Sequence, residues 1–300
     1  MVKVSIGIPS YNEGVALLQI LERLRHQRLS PDVQIEEIII SDDSEDGTPE
    51  LVIKYLSEHH RPHVHLYHHE ERRGVAEAWN EVLRRSEGEV VVLFDADVVL
   101  SPTTVDRLVM PFREDESLGL VTPSILPLRP RSYFGGASYF IGLALQGLRL
   151  TFTVHQLTLQ GRGLALSKRL AKSIDLPSQI IAVDLFVLCR ALELGYKVKV
   201  AKDAFIFFRP AESLHDFSSQ TLRAMVGHRQ LELYVRKVLP KRLTLLNQLK
   251  GSVKWARRYK REVSALLLAF LLFPFYIPKV WRGATTHIWE PASTSKPTGT

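Results

Sequence analysis

The sequence predicts an α/β fold: a largely parallel sheet covered by helices on both faces, with a basic and apolar helical region behind it. Three observations carry that expectation. Residues 2–97 alternate between strand-like and helix-like periods. A polar or acidic cluster follows each strand-like run. Beyond residue 223, charge and hydropathy change together.

In chain order, "VKVSIGIP" (2–9) reads as a strand and "GVALLQILERLRHQ" (14–27) as an amphipathic helix. "VQIEEIIIS" (33–41) is a strand. "TPELVIKYLSEHH" (48–60) is a helix, with Thr48 as its N-cap and Pro49 at the first helical position. "HVHLYHH" (63–69) is a strand, and "GVAEAWNEVLRRSEG" (74–88) a helix stopped by Gly88. "EVVVLFDAD" (89–97) is the fourth strand. From about residue 120 the pattern loosens. "GGASYFIGLALQGLRL" (135–150) reads as an apolar helix able to lie on a membrane. Residues 159–177 read as a strand or loop entering a helix, and 183–200 as a helix stopped by Gly195, then a strand. Residues 216–239 read as a helix, and 241–262 as a basic helical segment.

The C-terminal region limits the partners. Residues 223–282 hold about 14 Lys and Arg against about 2 acids, by the same count that gives the chain a net charge of +7. Within it lies "VSALLLAFLLFPFYIPKVW" (263–281), about 18 apolar or small residues, at the lower limit for a span, which is expected slightly ahead of a helix lying in the membrane plane. "RRYKR" (257–261) precedes it, as expected of a cytoplasmic flank. A basic stretch alone would suit nucleic acid; one adjoining an apolar run suits an anionic membrane surface, and no nucleic-acid partner is expected. No leader with an apolar core and cleavage site opens the chain, so a cytosolic body held at the cytoplasmic face of the membrane is expected. The last ten residues, "PASTSKPTGT", form a polar tail expected to be disordered. The single cysteine, Cys189, excludes an intramolecular disulfide and reads as a buried helix residue.

Chemistry concentrates after the strands, at the edge where open α/β sheets bind ligands. Asp95 and Asp97 would point to one side of a strand, and two carboxylates held that close call for a cation. Hard oxygen ligands suit Mg2+ or Mn2+, which commonly bind one or two carboxylates plus substrate phosphates. A turn with Asp capping the next helix is the plainer alternative. In "SDDSEDGT", the Asp42 carboxylate could accept a hydrogen bond from a nucleobase N–H, while Asp46, Gly47 and Thr48 read as turn and cap. In "PSYNEG", Glu13 could bond a ribose hydroxyl or nearby backbone, with Asn12 as a helix cap. Six of the eleven histidines fall in 59–69, where strand alternation would scatter their rings over both faces.

"IGIPSYNEG", "IIISDDSEDGT", "RRGVAEAWNEVL" and "VVLFDADVV", in this order, resemble the inverting family-two nucleotide-sugar glycosyltransferases of the GT-A fold. "GRGLALSKRL", "AVDLFVLCRALELGYKVKV" and "DFSSQTLRA" extend the resemblance to about residue 235. It implies a Rossmann-like, mixed but mainly parallel sheet: a catalytic domain at 1–239, membrane-associating helices at 240–289 and the tail at 290–300. It also implies a nucleotide-sugar donor, a UDP-sugar by preference, bounded by Pro9, Tyr11, Glu13, Asp42, Arg73 and Asp95. Asp97, with Asp95, would hold the metal, with His228 as a further candidate ligand. Asp184 would be the base that takes a proton from the acceptor hydroxyl. Arg162, Gly163, Gln220 and Arg223 would border the diphosphate and acceptor. Two positions depart from the family pattern. Val183 replaces the Glu that usually precedes the base, and Ala224 replaces the Trp of polymer-forming members. Ala224 and the single short apolar segment make single-sugar transfer fit better than long-polymer synthesis, and the basic and apolar C-terminus points to a membrane-associated, lipid-linked acceptor. A dehalogenase-type phosphatase fits poorly, because it carries D-x-D on its first strand with Thr where this chain has Val99.

Overall fold

The computed structural model describes residues 1–59, 62–151, 161–238 and 259–286. Most of the expected basic helix at 241–262 and the expected tail at 290–300 lie outside the described residues.

Eight strands form one sheet: β1 (Val2–Ser10), β2 (Val33–Asp42), β3 (His63–His68), β4 (Val90–Phe94), β5 (Val99–Leu100), β6 (Leu118–Pro127), β7 (Gly163–Ser167) and β8 (Lys197–Phe208). Their order is β3-β2-β1-β4-β7-β6-β8-β5. The ladders β3–β2, β2–β1, β1–β4 and β6–β8 are parallel, while β7 runs antiparallel between β4 and β6, as β5 does beside β8. The sheet is thus mixed and mainly parallel.

Alternation along the strands sends side chains into two cores. Val90, Val92 and Phe94 of β4 join Ile38 and Ile40 of β2 on one face. That face is covered by α1 (Gly14–Arg25), α2 (Thr48–Glu58) and α4 (Thr104–Glu114). Val91, Leu93 and Ile39 face the other way, under α3 (Val75–Arg85), α6 (Lys168–Lys172) and α7 (Val183–Glu193). A third, smaller cluster lies off the sheet. There α5 (Gly135–Thr151) and α8 (Leu214–Gln230) pack against α10 (Lys260–Thr285), while α9 (Glu232–Val238) follows α8.

Several local expectations need correction. The N-cap position of α2 is Gly47 rather than Thr48; the Asp46 Oδ1 accepts the Thr48 N–H at 3.0 Å. Asn12 does not cap α1. It takes φ +54°, donates its N–H to Ser44 Oγ at 2.8 Å and accepts the Glu45 N–H at 2.9 Å, tying the β1–α1 and β2–α2 loops together. Helix α3 ends at Arg85, ahead of Gly88. Gly88 instead lies so close to β1 that a Cβ there would stand 2.5 Å from the Ser5 nitrogen. Strand β4 ends at Phe94, so Asp95 and Asp97 belong to the turn that follows. Gly195, at φ +80°, does follow α7 as expected.

Candidate active site

Parallel pairing brings the polar loops to one sheet edge. Ser10 at the end of β1 is in register with Asp42, and Asp42 with His68 at the end of β3. Asp42 is fully buried. Its Oδ1 accepts the Ser44 hydroxyl at 2.6 Å, and its Oδ2 lies 2.9 Å from His68 Nδ1. The carboxylate is therefore held in one orientation. Asp43 accepts the backbone N–H groups of Arg73 and Gly74 at 2.8 and 3.1 Å, where Gly74 takes φ +90°. Arg73 is committed to this network: Nε meets Asp43 at 3.1 Å, and Nη2 meets Glu81 at 3.0 Å and Ser41 at 3.1 Å. Burial works against ionisation of Glu81, but its bonds to Ser41 and Arg73, with the nearby His69, outweigh that and hold its pKa below the ordinary value. Arg73 thus serves as the internal brace of the loop. The neighbouring Arg72 stacks its guanidinium 3.5 Å from the ring centre of Tyr11. Pro9 and Glu13 flank this stack at the end of β1 and the start of α1.

The second half of the site is built across β4, β7, α7 and α8. The Asp95 N–H reaches the Arg162 carbonyl at 3.3 Å, and Phe94 pairs with Gly163. This antiparallel return sets Arg162 Nη1 3.5 Å from Asp97 Oδ1, with the guanidinium over the Phe208 ring. A Cβ on Gly163 would meet Ile206 at 2.5 Å and Phe94 at 3.0 Å, so this glycine serves strand packing. A Cβ on Gly161 would stand 3.0 Å from the Asp184 carboxyl carbon, so Gly161 is the one that lies against Asp184. Asp184 sits in the first turn of α7, where backbone N–H groups and the helix dipole favour the carboxylate. Burial is the larger effect and raises its pKa; the bonded N–H groups and the nearby His228 act in the opposite direction. His228 thus neighbours Asp184, at the exposed end of α8. Arg223 is pushed down to about 10, by burial and then by repulsion from Arg162, with Asp95 and Asp97 opposing.

Asp95, Arg162, Asp184, Gln220 and Arg223 border one cleft of about 470 Å³. Its remaining walls are largely apolar, from α5, α8 and Trp79 of α3. The structure therefore gathers these five residues in the cleft, with Asp97 beside them through Arg162. It groups Pro9, Tyr11, Glu13, Asp42 and Arg73 at the adjacent ends of β1 to β3. Two contributors escaped the sequence reading. Trp79 is buried, lines the cleft, and among the described residues leaves its indole N–H without a hydrogen-bond partner. Helix α5 supplies an apolar wall of the cleft as well as outer surface.

The acidic turn fits a divalent cation. Asp95 is driven up to about 7 by burial and then by Asp97 and Asp184, with Arg162 and Arg223 relieving only part. Among the described residues no three His, Cys, Asp or Glu side chains form a ready metal cluster. The protein would thus contribute two carboxylates and leave further positions to phosphate and water, as Mg2+ and Mn2+ commonly require.

The sequence model for glycosyl transferase family 2 matches residues 5–127, and that for glycosyl transferase family group 2 matches residues 90–289. The chain belongs to the family 2 glycosyltransferases. Curated relatives include glycosyltransferase GlyG of Streptococcus pneumoniae, 25% identical over 38% of this chain and 36% of its own. Poly-β-1,6-N-acetyl-D-glucosamine synthase of Staphylococcus epidermidis is 30% identical over 40% of this chain and 27% of its own. The chain spans less than half the length of these relatives. The solved mannosyltransferase PcManGT from Pyrobaculum calidifontis, in complex with GDP-Man and Mn2+, aligns with TM-score 0.60 at 21% identity, covering 93% of this chain and 73% of that one. S. aureus TarS with UDP-GlcNAc aligns with TM-score 0.56 at 18% identity, covering 92% and 74%. Glucosyl-3-phosphoglycerate synthase from Mycobacterium tuberculosis, with Mn2+ and UDP, aligns with TM-score 0.51 at 19% identity, covering 77% and 79%. At these identities the solved structures establish the GT-A fold of this family 2 chain.

Proposed function

We propose that this glycosyltransferase is a metal-dependent, inverting enzyme. It moves a sugar from a UDP-sugar to a hydroxyl of a membrane-associated acceptor, a lipid-linked glycan intermediate, at the cytoplasmic face. The observation that carries this reading is the convergence of Asp95, Asp184, Arg162 and Arg223 on one cleft. Asp42, with Pro9, Tyr11 and Glu13, bounds the nucleoside side, and Arg73 braces that loop from behind. Asp184 accepts the proton of the acceptor hydroxyl. The oxygen forms its bond to the anomeric carbon as the bond to the diphosphate oxygen breaks, and the diphosphate keeps that electron pair. Attack opposite the leaving group inverts the centre without a covalent intermediate. Arg162 and Arg223 face the departing charge, and a guanidinium suits phosphate because its fork binds two oxygens. Mg2+ or Mn2+ held by Asp95 and Asp97 would offset diphosphate charge, as Lewis acids do; the Mn2+ complexes of PcManGT and the mycobacterial synthase support this. Ala224 borders the cleft at the position where polymer-forming members of the family carry Trp, which favours single transfers over polymer formation. The basic and apolar C-terminal region supports a membrane surface as partner and gives no support to nucleic acid.

Calorimetry of UDP, with GDP as the comparison, tests the donor site. Binding of UDP that requires Mn2+ and is lost in Asp97→Ala is the expected result. No binding of either nucleotide with any divalent metal would leave a non-catalytic scaffold as the better reading.

A further inference from the structure

Helix α10 is long and apolar enough to cross a membrane by length and composition, yet it is built into the protein along its length. Ala265, Ala269, Phe273 and Val280 are buried. They form one stripe, packed on α5 and α8. Phe270 meets Phe217 with ring centres 5.9 Å apart, Phe273 and Val280 pack with Leu222, and Val226 and Ile277 flank that contact. The opposite face is bare. Leu267, Leu271 and Phe275, spaced by four residues, are 67%, 69% and 72% exposed. Lys260 and Arg261 at one end and Lys279 near the other are exposed as well.

A spanning helix places about 20 residues in hydrocarbon. Residues 263–281 would then take α8 in with them, because α8 packs along the same stretch. The other side of α8 supplies Gln220 and Arg223 to the catalytic cleft, and its end exposes His228 and Arg229. Those groups strongly resist transfer into lipid. An in-plane helix needs only its outer face in the acyl boundary, with basic groups at the headgroups.

We infer that α10 lies flat on one leaflet of an anionic membrane, Leu267, Leu271 and Phe275 entering the lipid while the opposite stripe stays docked on α5 and α8. The catalytic cleft then opens beside the lipid. Phe217 lines the cleft and touches the half-exposed Phe270, and Met225 both lines the cleft and reaches the surface. An acceptor with an apolar chain slides in along this apolar rim, and its polar end meets Asp184 and the two arginines. The position of α10 stands independently of the donor reading; the path of the acceptor rests on it.

The test uses full-length protein carrying Leu267→Cys, Leu271→Cys or Phe275→Cys, one at a time. The native Cys189 is buried, so an environment-sensitive fluorophore labels the new site. Vesicles of phosphatidylcholine, with or without phosphatidylglycerol, carry shallow or deep spin-label quenchers. Equal, shallow quenching at all three sites is expected, with binding strengthened by phosphatidylglycerol and weakened by salt. A Leu267→Glu, Leu271→Glu, Phe275→Glu variant should lose about a hundredfold in partitioning, given the apolar area involved, while keeping UDP binding. Deeper burial at 271 than at 267 and 275 would overturn the inference in favour of a span. Absence of quenching, together with concentration-dependent dimerisation, would overturn it in favour of a second copy covering this face. Vesicle binding without UDP binding would sink the donor reading alone.

Discussion

Trp79 shows how much of a site can hide in a residue assigned to packing. Within "GVAEAWNEVL" it falls on the apolar face of α3, and nothing in the pattern separates it from Val82 or Leu83. Only the fold reveals that its indole N–H is buried at the cleft with no partner among the described residues. An unpaired buried donor costs about 1–3 kcal/mol, and a substrate oxygen placed there would recover that. Trp79→Phe keeps an aromatic ring and removes the donor. Its expected signature is a KM for acceptor or donor raised roughly tenfold, with the melting temperature held or slightly raised. Unchanged KM values for both substrates would show that the N–H touches neither. By contrast, Asp95, Asp97 and Asp42 were legible as candidates because unlike Trp79 they are costly anywhere else at a strand end. Arg73 was legible as a candidate but not as a brace, since Asp43 lies 30 residues before it and nothing in the sequence pairs it with Glu81 of α3.

At the level of elements, the contact between α8 and the start of α7 positions the proposed base. A Cβ on Gly227 would stand 2.9 Å from the Ala182 Cβ and 3.2 Å from its backbone nitrogen, two residues ahead of Asp184. Gly227→Ala must push the two helices apart, since the backbone of Ala182 cannot swing aside. Overpacking of this kind costs about 1–3 kcal/mol. Urea unfolding should register that loss, with turnover falling further than stability alone explains. A variant as stable as wild type would mean that the helices have slack there. The helices and strands before residue 97 were legible because each carries a clean period and a turn signal. The segment β5–α4–β6 was not. "LGLVTPSILP" of β6 is buried on both faces, so it shows no alternation, and Pro123 and Pro127 argue against a strand until β7 and β8 are seen to flank it. β5 is only two residues long and exists through its pairing with β8.

For the molecule as a whole, opposing carboxyl groups shape the dependence of stability on pH. Asp95 and Asp184 have folded pKa values raised by burial, so their ionisation opposes folding and that penalty lifts as pH falls through the folded values. Asp115 and Glu193 are held near about 2 by hydrogen bonds, from Ser117 and Lys197 to the first and from Tyr234, Lys237 and Arg190 to the second. Their contribution is present above the unfolded values and lost as pH falls toward 2. In chelator, the melting temperature should therefore peak between about pH 5 and 6 rather than at neutral pH. A monotonic rise to pH 8 would contradict the crowding at the acidic turn. Sheet order has a consequence for how the chain is made. The proposed nucleoside side rests on β3, β2, β1 and β4, all complete by Phe94 and joined by parallel ladders. The proposed acceptor side waits for β7 to insert between β4 and β6 and for β8 to reach β5, where Val99 meets Phe207. Long-range pairings of this sort are slow to close. A chain folding in order of synthesis thus shapes the proposed nucleoside pocket well before Asp184 and Arg223 leave the ribosome. On that order of folding, the proposed nucleoside pocket is shaped at a stage when neither the diphosphate-facing arginines nor the proposed base exists.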